Sequence, residues 1–469
     1  MSFFRDLRRD GAFYRRFFSL TGMIALQNII VFSVNLADNL MLGAYKETAL
    51  SGVALVNQIQ FLLQMIVMGI GEGVIVLSSQ YWGKRQTQPM KHIANIGMRL
   101  AAAASLLLFA VVFFFPQGVL GLLTNEPAVI DEGVKYLKII CFSYPLFAVT
   151  NTLLAVLRSV ETVRIGFLVS FSTFCINVCL NSILIYGNLG APELGSAGAA
   201  IATLISRTVE VVIILVYCLF RDQKLRLRVR DFTRRLEKSL LGDYIRVGMP
   251  VVASNAIWGI AMASQTAILG RLGESAIAAN SIATTVFQIL TVISYGASSA
   301  TSVLVGKTIG ESGMSRVKRF VKPLQVIYLL IGLITGAALF LVKDWILGFY
   351  SVSPQTYSLA IAFMTVLSVT SIGTSYQVAV LTGIVRGAGE TKFILYNDSI
   401  FMWLIVIPSA ALCAFVWNLS PVVVFCCLKC DQILKCAVAF VKVNFLPWGR
   451  QLTREEPLEQ EERERVPLG

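Results

Sequence analysis

The stretch "LGAYKETAL", Leu42 to Leu50, returns as "LGRLGESAI", Leu269 to Ile277, after a shift of 227 residues. At the same shift Gly43 meets Gly270, Glu47 meets Glu274, Ala49 meets Ala276, Gly69 meets Gly296 and Gly83 meets Gly310. Farther on, "LRSVETVR" from Leu157 is answered by "VRGAGETK" from Val385, which sets Arg158 opposite Arg386 at a shift of 228. Coincidences held at one spacing across half a chain read as an internal duplication.

Composition decides what is duplicated. Of 469 residues, 56% are hydrophobic and 14% charged, with mean hydropathy +0.72. Soluble domains carry about 25% charged residues, so this chain belongs in lipid. A spanning helix needs about 20 apolar residues. Twelve such stretches begin near residues 17, 50, 93, 133, 165, 196, 243, 276, 321, 357, 394 and 420.

The basic residues sort by loop. They crowd the amino terminus (Arg5, Arg8, Arg9, Arg15, Arg16), "RDQKLRLRVRDFTRRLEK" from Arg221, and the even-numbered loops generally. "PQGVLGLLTNEP" and "GNLGAPELGSAG", from odd-numbered loops, hold no Lys or Arg. This positive-inside pattern predicts both termini in the cytoplasm and an inner (plasma) membrane protein. It also accounts for the net charge of +13 without a nucleic-acid partner. The first residues lack the apolar core and cleavage site of a signal peptide and read as a basic arm on the membrane.

The expected fold is all-α, an integral membrane protein of twelve transmembrane helices in two pseudo-symmetric six-helix lobes. The lobes are expected at residues 1–220 and 243–449, with a basic cytoplasmic linker at 221–242 and a polar tail at 450–469. Six spans return the chain to its starting side, so the lobes are parallel repeats. In transporters built this way the binding site lies between the repeats.

Inside the first span, "SVNLADNLMLG", Ser33 to Gly43, carries Asp38. A carboxylate at mid-membrane costs about 2.5–3.5 kcal/mol on insertion scales, which makes it a functional candidate with a cation or proton role. Its counterpart in the second half is Gln265: the scaffold repeats and the charge does not. Helical spacing puts Asn35 on the face of Asp38, and Asn177 on the face of Asn181 in "INVCLNSILIYG". Thr203 follows in the next helix. Such amide and hydroxyl oxygens suit a hard-cation shell around Asp38, sodium being the metal ion considered. The structural readings are interhelical bonding for the two asparagines, a local Arg207–Glu210 pair, and a pairing of Asp38 with Arg207. Gln58, Gln64, Gln265, Gln288 and Gln377 are candidates to line an aqueous substrate cavity or, on the structural reading, to bond across helices, with Glu72 following in "GIGEGV". Asp398, near a helix amino terminus, reads as structural, and Asp431 with Lys435 as an i,i+4 pair.

Other chemistry finds little support. Nine cysteines read mainly as small apolar residues, Cys427 and Cys430 forming a weak C-x-x-C. There is one histidine, His92. "GKT" at Gly306 lacks the phosphate loop's earlier glycine, since Thr301 stands there. No nucleotide engine, enzyme site or cofactor is expected beyond a coupling proton or sodium ion.

"NLADNLMLG", "SSQYWGK", "LRSVETVRIGF", "INVCLNSILIYG", "GSAGAAIATLISR" and "VRGAGETK" resemble the multidrug and toxic compound extrusion family, in its bacterial branches, from about residue 12 to 450. The resemblance implies two lobes in a V around a central cavity. It also implies export of small organic cations or amphipathic drugs in exchange for sodium ions or protons, by a monomer in the bilayer. The family's first-lobe cation site carries over to Asp38, Asn177 and Thr203. The second helix-5 position, often aspartate in the family, is Asn181 here, which favours proton over tight sodium coupling. Helix 7, "PVVASNAIWGIAMASQTAIL", lacks the second-lobe acid of some branches. The alternatives are a lipid-linked oligosaccharide flippase of the wider superfamily, which calls for a cationic cavity, and a membrane receptor or scaffold that transports nothing.

Overall fold

The computed structural model describes residues 10–350 and 352–454, so Arg5, Arg8 and Arg9 and most of the polar tail lie outside the described residues. Among these the chain is helical and no strand occurs. The membrane helices are α1 (Gly11–Tyr45), α2 (Glu47–Gly83), α3 (Thr87–Phe114), α4 (Pro127–Ile140 and Ser143–Ser159), α5 (Arg164–Tyr186) and α6 (Ser196–Arg221). The second half supplies α7 (Lys238–Gly270), α8 (Glu274–Ser312), α9 (Met314–Leu347), α10 (Pro354–Val385), α11 (Thr391–Val416) and α12 (Pro421–Lys429 and Asp431–Asn444).

Ten of these are long and apolar enough to cross a bilayer as single helices, and α4 is a broken span bent by 54°. Helix α12 is less apolar because Lys429, Asp431, Lys435 and Lys442 interrupt it, yet Cys430 keeps helical dihedrals between its two parts. Most helices start a turn or two before the expected positions. They run past the apolar stretch into basic first and second turns, as at Arg15 and Arg16 in α1 and Arg316, Lys318 and Arg319 in α9. Glycines with positive φ punctuate the helices: Gly187 (φ 69°) ends α5 in the left-handed conformation, and Gly273 and Gly313 flank α8.

The packing boundary differs from the sequence division at 220 and 243. Tyr14, Phe17, Leu20 and Ile24 of α1 are buried in the second half's core, with Phe320, Leu324 and Tyr328. Reciprocally, Leu240, Tyr244 and Val247 of α7 are buried in the first half's core. At the repeat shift, Phe17 answers Tyr244 and Leu20 answers Val247. Each lobe thus begins with a helix rooted in the other.

The halves meet at the end that carries the basic loops. A Cβ on Gly83 would strike the Lys307 carbonyl, and one on Gly310 the Gln80 carbonyl, so the α2–α8 contact needs glycine on both sides of the pseudo-symmetry. Lys307 Nζ then reaches Glu161 Oε1 at 2.5 Å, and Trp82 Nε1 donates to the same oxygen at 3.2 Å. Tyr244 donates to the Ile70 carbonyl at 2.8 Å. Among the described residues, the hydrogen bonds and ion pairs joining the halves all lie toward this end. Away from it the lobes keep separate cores, while Leu36 and Leu40 of α1 and Ile277 and Ile289 of α8 are exposed. The two lobes therefore form a V joined at the basic end.

Candidate functional site

Asp38 lies on α1 above the segment that roots in the second lobe. Asn181 Nδ2, from α5, donates to Asp38 Oδ1 at 2.5 Å and to Asn177 Oδ1 at 3.0 Å. Asn177 Nδ2 donates to Thr203 Oγ1 of α6 at 3.2 Å. Tyr136, buried on α4, sets its phenol beside Thr203. A chain of polar side chains thus runs from the carboxylate on α1 through α5 to α6, with the α4 phenol at its end. Asn177 and Asn181 are fully buried, and Asn181 Oδ1 has no hydrogen-bond partner among the described residues.

Arg207 does not pair with Asp38. Its guanidinium is held by Glu210 at 2.7 Å and lies over the Phe147 ring, 5.1 Å from the centroid. Its charge reaches Asp38 only from beyond pairing distance. Asp38 is therefore a partly buried acid with one amide donor and no counter-ion in contact. The donor set fits a monovalent cation or a proton: the carboxylate, the spare Asn181 Oδ1, Asn177 Oδ1 and Thr203 Oγ1 are all oxygens, the ligands hard cations take. Asn35, expected beside Asp38, is exposed and bonded to none of this group. Three residues on an α-helix turn through about 300°, and the remaining 60° carries Asn35 off the narrow face α1 presents to α5.

The second lobe repeats this arrangement without the charge. Gln265 of α7 is buried, against Met402 Sδ of α11 at 3.8 Å and Lys429 Nζ of α12 at 3.5 Å. Gln377 is likewise buried, bonded to Gln432 at 3.0 Å. Neither lines open space, because each satisfies an interhelical bond inside its lobe. Gln58 and Gln288 are exposed, and Gln64 is half-buried against Met68. Asp398 is more than a dipole partner: Lys435, held at 3.4 Å by Asp431, also reaches Asp398 at 3.0 Å, and Ser254 donates to Asp398 at 2.9 Å.

A further polar group joins the lobes. Glu72 Oε2 of α2 pairs with Arg386 and accepts from Asn255 Nδ2 of α7 at 3.0 Å. Arg158, the repeat counterpart of Arg386, donates to Ser299 of α8 at 3.3 Å. The repeat had marked both arginines, but their convergence across the lobes was invisible in one dimension. Tyr136 was missed too. Its only signal was a phenol in an apolar helix, whose hydroxyl needs a partner once buried.

Known proteins share this architecture. A "Probable multidrug resistance protein NorM" of Listeria monocytogenes is 25% identical over 411 residues, covering 88% of this chain and 90% of that protein. The solved structure of the eukaryotic MATE transporter AtDTX14 superposes with a TM-score of 0.83 at 19% identity, over 99% of this chain and all of that one. That of an outward-facing multidrug resistance MATE family transporter of the MOP superfamily does so with a TM-score of 0.80 at 20% identity, covering 91% and 94%. The family model MatE matches residues 24–183 and 250–412, one stretch in each half, and the chain thus belongs to the MATE family of multi-pass membrane transporters.

Proposed function

We propose that this transporter is a secondary active antiporter that exports small organic cations and amphipathic compounds, coupled through Asp38 to inward movement of a proton or sodium ion. The observation that carries the coupling is the unmatched carboxylate: Asp38 has one amide donor, a spare buried acceptor beside it and no contacting cation, while Gln265 holds the same place in the second lobe. The multidrug name of the Listeria relative supports the substrate class.

The basic end faces the cytoplasm on this reading, so the V opens outward and both termini are cytoplasmic in the plasma membrane. The path lies within one chain and a monomer suffices. Charged Asp38 accepts from Asn181. Once protonated from outside, its hydroxyl becomes a donor, and turning the Asn181 amide over offers it Oδ1; a sodium ion would neutralise the same carboxylate by direct contact. That change removes a charge from the lobe and permits the return swing. For a substrate without net charge, one ion crossing 100 mV supplies about 2.3 kcal/mol, enough for roughly fiftyfold accumulation; exchange against a monovalent cation is electroneutral and is driven by the ion's concentration gradient alone.

The test is flux of a fluorescent organic cation in proteoliposomes under imposed pH or sodium gradients. Uphill movement is expected with at least one gradient and none with ATP alone. Flux indifferent to both gradients contradicts the proposal. The flippase reading gains one specific observation, the paired arginines between the lobes.

A further inference from the structure

The repeat supplies two arginines and one acid to the lobe junction. Arg158 and Arg386 occupy equivalent places, but the position equivalent to Glu72 is Ser299. Glu72 pairs with Arg386 and is the carboxylate whose charge reaches Arg158. The group therefore carries one positive charge in excess. Arg386 is 94% buried, and its Nε finds no acceptor among the described residues. The hydrogen bond of Arg158 there goes to an uncharged hydroxyl, Ser299 Oγ. Glu72 keeps its side chain 34% exposed, so the group is open to solvent. It lies eleven residues from the basic end of α2, about 16 Å along the helix, at the floor of the V.

Buried guanidinium donors without acceptors are costly and call for an oxyanion. The guanidinium fork matches carboxylate and phosphate geometry. We propose that Arg158 and Arg386, with Ser299 and Asn255, form a subsite for the carboxylate or phosphate group of the transported molecule. Within the amphipathic class, the subsite then favours amphiphiles bearing an oxyanion, zwitterions included. This deepens the export reading and rests on the V being the transport path.

The placement gives the subsite a role in the cycle. Arg158 belongs to the first lobe and Arg386 to the second, so an oxyanion held by both draws the basic end shut behind the substrate. Glu72 is the built-in competitor. When Arg386 returns to Glu72, the substrate loses half its grip and leaves outward.

The test is equilibrium binding to the full-length protein in nanodiscs, without any gradient. The probes are dansylglycine and its uncharged amide, which differ in the carboxylate. The wild type is expected to bind the acid about tenfold tighter than the amide. Arg158→Gln should abolish that preference, Arg158→Lys should retain part of it, and Glu72→Gln should increase it. Opposite shifts at two neighbouring sites are not produced by general misfolding. Displacement of dansylglycine by farnesyl phosphate but not farnesol assigns a lipid-borne phosphate as the source; resistance to both assigns a soluble carboxylate. Equal binding of acid and amide by the wild type, or an unchanged preference in Arg158→Gln, overturns the proposal. Because no flux is measured, that failure leaves coupling through Asp38 standing, and loss of coupling leaves the subsite standing.

Discussion

Asn181 sets what Asp38 can hold. As an amide it donates to the carboxylate and brings no charge of its own. Asn181→Asp would place two carboxylates in one buried pocket, and a sodium ion is the natural way to neutralise them. That variant should gain sodium-stimulated export, read as flux against sodium concentration at fixed pH. Asn177→Ala removes bonds to Thr203 and Asn181 and should cost about 0.6–1 kcal/mol in unfolding measured in bicelles. Asp38, Asn177, Asn181 and Thr203 were legible because helical spacing and an unpaired acid both survive in one dimension. Asn35 misled because i,i+3 neighbours diverge on a narrow contact face. Gln265 and Gln377 left two readings open because an amide in an apolar helix looks the same whether it faces water or a neighbouring helix.

At the scale of elements, closure depends on α2 and α8 touching backbone to backbone at Gly83 and Gly310. Gly310→Val should hold the basic end apart and stop export. Spin labels on the exposed residues Gln88 and Arg316 should then show a longer distance than in the wild type. The Lys307–Glu161 pair fastens the same contact. Burial pushes the Glu161 carboxyl upward, but the Lys307 hydrogen bond and charge outweigh it and hold the group below its ordinary value. The ionised form thus favours closure. That contribution is present above the ordinary glutamate value of about 4.3 and is lost as pH falls through the lowered one. The label distance should lengthen in acid, and Glu161→Gln should shift the closed-to-open ratio about fivefold, ~1 kcal/mol, at neutral pH. The glycine repeats at 83 and 310 were visible in the sequence as spacing. Their contact was not, because nothing in one chain segment records which backbone it will touch.

Across the whole molecule, the duplication read from Leu42 and Leu269 gave two lobes, and the apolar stretches gave twelve helices. It could not show that α1 and α7 exchange roots, since burial in one's own lobe or the other leaves the same apolar pattern. That exchange ties each lobe's first helix to the motion of the other, and α1 carries Asp38. A change of charge at Asp38 therefore acts on a helix anchored across the junction. The most direct measurement compares wild type and Asp38→Asn in the same proteoliposomes, following substrate exchange at equilibrium and accumulation driven by a gradient. The account predicts that Asp38→Asn still exchanges substrate but accumulates none; accumulation by Asp38→Asn at the wild-type level would contradict it.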